Sequence, residues 1–396
     1  MLSLALPLLD LLALCLLLLV LARSALAQEA PVSSPSSLFL VHQPDRYVAV
    51  DLLAFSQWDP GGGDPLVDEG FRYEALSVDA RFKVTDDVYV RGTAVVAYLQ
   101  NDPLLTLPNS IANAHVTSAS TDFVTLDSSL ATDLISPDGK WIFSPGFFYH
   151  HQWAFLVGGM DLDLRHVMAG GDAVLRLGYN GRYASIHQVK WDGSPVYGDD
   201  RITNNAVLSW TQVLSPKLVA NVGLQYTNQT GLLSSTLQFV GLYDAAGQPV
   251  ELVDEVLPRE RNRGQLDLRA RYTPSVGTSF GLDLSGYYDD WDLLNLAIEP
   301  SFETPIWGGA RLRVWYRLSD QKGTRYFDPT PQTVQPYMTQ NSNLGTWVDQ
   351  SPGMLVLVPL GERGGAQWLL RASLLGFYRT DRIFGAGGSL GFSVEW

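Results

Sequence analysis

Cysteine is all but missing: the 396 residues hold one, Cys15, close to the amino terminus. Disulfides and cysteine-based metal sites are thereby excluded from the body of the chain, and a chain without thiols suits export through an oxidising compartment. Basic residues are scarce too. Lys and Arg number 27 against 41 Asp and Glu, a formal charge of −14, which excludes a nucleic-acid binder working through a basic footprint. After Ala27 no apolar run reaches the ~20 residues of a membrane helix. Metalloprotease, Walker and dinucleotide motifs are absent as well.

Aromatic residues and glycine are abundant: 11 Trp, 17 Tyr, 16 Phe and 36 Gly. With no helical span, that mixture fits a membrane β-barrel, whose apolar outer face is diluted by a polar inner one. Soluble all-β proteins share the composition, so the pattern along the chain has to decide.

The start is Leu-rich over 2–21, followed by Arg23 and the small-x-small site Ala25-Leu26-Ala27, which predicts a Sec-type signal peptide cleaved after Ala27. Cys15 follows Leu14, where a lipoprotein signal requires a small residue, so no lipid anchor is expected. A Pro-, Ser- and Ala-rich stretch over 28–44 reads as a periplasmic lead-in. Residues 45–396 remain as a single barrel domain. At the other end, Leu390, Phe392, Val394 and Trp396 alternate with Ser389, Gly391, Ser393 and Glu395. That is an amphipathic strand ending on an aromatic ring, as the closing strand of an outer-membrane barrel requires. These four apolar residues resemble the signal read by the barrel assembly machinery.

Between the ends, period-two segments of spanning length recur over 46–58, 71–84, 88–99, 122–135, 141–149, 153–168, 173–186, 202–214, 218–229, 263–273, 280–288, 293–304, 310–318, 345–359, 367–379 and 384–396. Every second connection is short and built of Gly, Pro, Asp, Ser or Thr, while the longest connections fall in the other register. The expected fold is an all-β, transmembrane, antiparallel up-and-down β-barrel of about 16 strands (roughly 14–18), with short periplasmic turns, long extracellular loops and both termini in the periplasm. Outer-membrane lipid is then the first partner and the outer membrane the location.

The segments TQVLSPKL (211–218), LPRERNRGQLDLRARY (257–272), GYYDDWDLLNLAIEP (286–300) and RVWYRLSDQKGTRYF (313–327) resemble a widespread group of secreted bacterial barrel proteins classified as a domain of unknown function. The resemblance covers 204–327. It implies barrel topology and outer-membrane placement, and it brings no substrate and no catalytic residue.

Alternation puts Arg91, Asp161, Asp163, Arg165, Arg176, Arg182, Asp267, Arg269, Arg271, Asp283, Arg311, Arg313, Trp315, Arg317 and Arg371 inside strands. An ionised side chain facing lipid there costs several kcal/mol, so these residues are expected to line the lumen. The set is Arg-heavy, whereas Asp59, Asp64, Asp68, Glu69, Asp192, Asp199, Asp200, Glu251, Asp254, Glu255, Asp289 and Asp290 fall in loops or turn edges. Guanidinium groups bind carboxylates bidentately and stack on flat faces, so the expected solutes are anionic or sugar-like. The competing expectation is that Arg and Asp pair across the interior and seal it.

Catalysis is not expected. Gly387-Gly388-Ser389-Leu390-Gly391 satisfies G-x-S-x-G but sits within a strand, not at a strand-to-helix turn. His150 and His151 are neighbours on a strand and point to opposite faces, so they cannot share one metal ion. No cofactor and no metal are expected. The favoured function is a channel, extended to a polysaccharide exit fed by a periplasmic export protein. The alternatives are a passive porin and a non-conducting scaffold or adhesion barrel acting through its loops.

Overall fold

The computed structural model describes residues 46–59, 70–101, 123–152, 154–190, 195–235 and 238–396. The expected signal segment with Ala25 and Ala27, the 28–44 lead-in, the greater part of the 59–70 and 100–121 connections, Trp153 and Asp192 lie outside the described residues.

Within them the alternating segments become strands: β1 (Tyr47–Trp58), β2 (Phe71–Thr85), β3 (Val88–Asn101), β4 (Phe123–Ile135), β5 (Trp141–Gln152), β6 (Phe155–Met168), β7 (Ala173–Val189), β8 (Pro195–Ser215), β9 (Leu218–Gly231), β10 (Phe239–Tyr243), β11 (Pro249–Asp254), β12 (Glu260–Ser275), β13 (Thr278–Asp289), β14 (Leu294–Pro305), β15 (Arg311–Lys322), β16 (Trp347–Arg363), β17 (Ala366–Arg379) and β18 (Phe384–Glu395). All but β10 and β11 form one closed antiparallel barrel of 16 strands, each paired with its sequence neighbours, with β9 beside β12. Closure is made by β1 on β18, in register from Tyr47 opposite Glu395 to Trp58 opposite Phe384. The backbones of Arg46 and Trp396 extend the seam through a reciprocal pair of hydrogen bonds at 2.9 and 3.2 Å. A barrel leaves no unpaired edge, the condition for a sheet to stand in hydrocarbon.

The outward face is apolar. Leu52, Leu224, Leu296 and Leu374, on β1, β9, β14 and β17, each keep more than half of their surface uncovered. Water would penalise such area by about 25 cal/mol per Å², and a lipid belt removes the penalty. Tyr98, Tyr149, Tyr183, Tyr226, Tyr288 and Tyr378 mark this face toward the long-loop rim, and Trp141, Trp210, Trp307 and Trp396 mark it toward the short-turn rim, as interfacial girdles do.

The short turns are built by local chemistry. Between β4 and β5, Ser136 Oγ donates to Asp138 Oδ1 at 2.6 Å, the Lys140 amide donates to the same oxygen at 3.1 Å, and the Trp141 amide donates to Ser136 Oγ at 2.9 Å. Gly139 supplies the left-handed position at φ +68°. The Ser136 hydroxyl and the Lys140 amide hold the Asp138 carboxyl below the usual carboxylate range.

The connection expected as one long loop between β9 and β12 instead contains the hairpin β10–β11. Its Val240 and Leu242 pack with Met338 of the β15–β16 connection. The Gly241 amide donates to Gln340 Oε1 at 2.6 Å, and Thr339 donates to Glu255. The two connections therefore form one cap on the long-loop rim, and its base is pinned where Arg261 pairs with Asp289 at 2.5 Å and lies 4.3 Å over Trp291. Alternation over only five or six residues is too short to separate such a hairpin from a loop by sequence.

Candidate functional site

Pairs that skip a strand identify the concave face. Arg81 on β2 reaches Asp133 on β4 at 3.4 Å, Arg271 on β12 reaches Glu303 on β14 at 3.5 Å, and Arg371 on β17 reaches Asp51 on β1 at 2.6 Å. Only the inside of a closed sheet brings such side chains together. Arg91, Asp161, Asp163, Arg165, Arg176, Arg182, Asp267, Arg269, Arg271, Asp283, Arg311, Arg313, Trp315, Arg317 and Arg371 all fall on this face, opposite the exposed Leu, Val and Tyr positions of their own strands.

The structure gathers many of these residues into a belt in the short-turn half of the lumen. Asp133 lies 3.4, 3.5 and 3.9 Å from Arg81, Arg91 and Arg165, and accepts from Ser144 Oγ at 2.7 Å. Asp163 pairs with Arg165 at 2.6 Å and with Arg176. Glu303 pairs with Arg311 as well as Arg271. Guanidinium groups outnumber carboxylates in these contacts, and the two are covered unequally. The side chains of Asp133, Asp163 and Glu303 are 4–9 % exposed, while those of Arg91, Arg176 and Arg311 keep 41–47 %. The guanidinium groups of Arg91, Arg176 and Arg311 open to the lumen above these carboxylates, whereas Arg81, Arg165 and Arg271 are themselves largely covered, at 12–14 %. Such half-open pairs contribute about 1 kcal/mol or less each; their effect lies in the charge they present.

Arg313 has no carboxylate within ion-pair distance among the described residues, and its Nε lacks a hydrogen-bond partner. It stands 5.7 Å from the Trp315 ring. Trp315 lies against the bare Cα of Gly353, where an added Cβ would stand 2.6 Å from the indole Nε1. Nearer the long-loop mouth, Arg182 pairs with Asp161 at 2.5 Å and covers Phe148 at 4.5 Å, and Gln265 donates to Asp267 at 3.0 Å.

Sequence reasoning missed the inward acids Asp51, Asp127, Asp133, Glu299 and Glu303, and placed too much of the acidic excess in loops. The same alternation marks all five, since each shares parity with its strand's other inward residues. Asp289, expected at a loop edge, is a fully covered partner of Arg261. His150 and His151 do diverge: His150 turns in to Asp127 Oδ1 at 2.6 Å, and His151 lies on the opposite face. Ser389 is hydrogen-bonded to Ser373 at 2.7 Å within the sheet. Among the described residues no group of His, Cys, Asp and Glu is arranged to hold a metal ion.

The barrel resembles those of outer-membrane channels, porins and receptors. A bacterial polysaccharide outer membrane secretin is 10 % identical, with 88 % of this chain and 98 % of that chain covered at a TM-score of 0.48. OccK1 (OpdK) of Pseudomonas aeruginosa is 10 % identical over 88 % of this chain and 97 % of that one, TM-score 0.43. The translocator domain of the autotransporter NalP from Neisseria meningitidis is 13 % identical over 91 % of both, TM-score 0.36. At such identities no solute or partner passes from them to this chain. No curated protein matches it. Residues 140–344, just over half of the sequence and enclosing the 204–327 stretch singled out above, match the model described as Protein of unknown function (DUF3570), and the chain belongs to that family.

Proposed function

We propose that this protein is an outer-membrane channel whose lumen passes anionic or sugar-like solutes through a guanidinium-lined belt. One observation carries the proposal: the carboxylates of Asp133, Asp163 and Glu303 are covered while their partners Arg91, Arg176 and Arg311 stay open, so a solute in the lumen meets the positive charge of these three first. In a narrow, weakly screened passage that arrangement raises the local anion concentration. The short turns then face the periplasm and the cap faces outward. A sugar polymer handed over by a periplasmic export protein is the extended form of this proposal, with the export protein docking on the short-turn rim.

Planar-bilayer recording on the purified protein tests it. Stepwise insertion currents are expected. A protein that inserts as a heat-modifiable barrel and carries no current is a scaffold acting through its cap, and overturns the channel.

A further inference from the structure

The lipid side of the barrel is hollowed beside the seam. Ala54 of β1 faces Gly388 of β18 in register, and their row continues to Leu374 of β17 on one side and to Glu74 of β2 and Tyr98 of β3 on the other. All five have the outward parity of their strands. With almost no side chain at its centre and large ones at both flanks, the row opens a hollow of about 810 Å³, walled toward the short turns by Leu52, Leu76, Val96 and Leu390. From Leu374 to Tyr98 is four strand spacings of about 4.8 Å, roughly 19 Å, several times the thickness of one acyl chain.

Two charges stand at the long-loop edge. Glu74 lines the hollow itself, and Arg72, on the same face of β2, lies two residues or about 7 Å nearer the rim. Both are exposed, and among the described residues neither has an ion-pair or hydrogen-bond partner. Ionisable side chains on the lipid side of a barrel call for a partner, and their order selects it. Leaving the hollow, a ligand meets an acceptor first and a cation second. In a phospholipid the phosphate adjoins the acyl esters, and the headgroup ammonium or hydroxyl lies beyond it, which is the reverse order. In a phosphorylated glycolipid the hydroxyls of the sugar and of hydroxylated acyl chains adjoin the hydrocarbon, and the phosphate projects beyond them.

We infer that this hollow binds a phosphorylated glycolipid of the outer leaflet, with its acyl chains over Ala54 and Gly388, a hydroxyl donating to Glu74 and its phosphate on Arg72. A guanidinium fork grips phosphate bidentately, and several chains on one headgroup suit the width of the hollow. The inference rests on the outward facing of the long loops proposed above and is independent of conduction.

Native mass spectrometry of detergent-purified protein tests it, with titrations of lipid A, dephosphorylated lipid A, phosphatidylethanolamine and phosphatidylglycerol. Lipid A is expected to bind about tenfold more tightly than the other three, the gain of one charge-assisted contact. Arg72→Gln should bring lipid A down to its dephosphorylated form and leave that form unchanged. Ala54→Leu, which fills the hollow, should weaken both. Heat-modifiability verifies the fold of each variant, and Arg72→Gln, at an exposed rim position, carries the test if Ala54→Leu fails to fold. Equal binding of all four lipids is bulk solvation and overturns the inference, as do an Arg72→Gln protein with wild-type preference and a lipid-free dimer joined through this face. Thiol labelling of Arg382→Cys, in the exposed β17–β18 turn, on intact cells reads the orientation separately. Labelling without glycolipid preference overturns the site alone, and absence of labelling overturns the outer-leaflet assignment.

Discussion

Changing Gly391 to alanine is expected to break a specific bridge across the barrel seam. Asp51 on β1 and Arg371 on β17 are paired at 2.6 Å although β18 runs between them, and the residue of β18 directly between is Gly391. A Cβ there would overlap Asp51 Oδ1 and stand 2.7 Å from its Cγ, so the carboxylate must swing away from the guanidinium. A charge-assisted hydrogen bond contributes about 1.5–3 kcal/mol. Both side chains keep some exposure to the lumen, 19 and 31 %, and the lower end, about 1.5 kcal/mol, is the expected loss. In an Asp51→Ala background the obstruction has nothing to displace, and Gly391→Ala should be neutral or stabilise by roughly 0.5 kcal/mol, since glycine is the poorer strand residue. Urea unfolding of the four refolded proteins gives the coupling, expected at about 2 kcal/mol. Equal costs in the two backgrounds would refute the bridge.

Three further outcomes are expected. Replacing Trp396 and Phe392 with serine should leave secretion intact and abolish membrane insertion, because Phe392 packs on Trp368 at 5.1 Å and the exposed Trp396 ring belongs to the aromatic belt of the short-turn rim; fractionation reads it, and normal recovery of a heat-modifiable band contradicts it. At the long-loop rim Arg259 grips Asp199 with hydrogen bonds of 2.9 and 2.5 Å. That grip holds the Asp199 carboxyl below the usual range, so its contribution is present above the unfolded carboxylate pKa and is lost as pH falls through the lower folded value; hydrogen exchange at 256–260 should rise only in that acidic window, and a rise near neutrality counts against it. Gly353→Val should push Trp315 off the wall and lower single-channel conductance several-fold, an effect that unchanged current would exclude.

Strand number, strand order and the alternation of faces were legible because a period of two, long segments and turn chemistry all agree in a barrel. The seam was legible from the last residues, since Leu390 to Trp396 announce a lipid face. Partners across skipped strands were not. That Asp133 serves Arg81, Arg91 and Arg165 depends on curvature and register, which no local window encodes. Arg311, Arg313 and Arg317 were legible as one inward stripe, yet Glu303 beneath Arg311 lies on the neighbouring strand. The role of Gly353 and Gly391 was hidden for a related reason: each glycine is explained by a side chain on another strand.

The most direct test of the guanidinium belt is the reversal potential of the purified channel in a salt gradient, wild type against an Arg311→Gln, Arg313→Gln, Arg317→Gln triple variant. The wild type is expected to prefer anions. Losing three positive charges leaves Glu303, Glu299 and Asp283 less compensated in the same stretch of lumen, so the variant should lose that preference or turn toward cations. Cation preference in the wild type, or a variant with unchanged selectivity, would contradict the account and make this wall a structural seal.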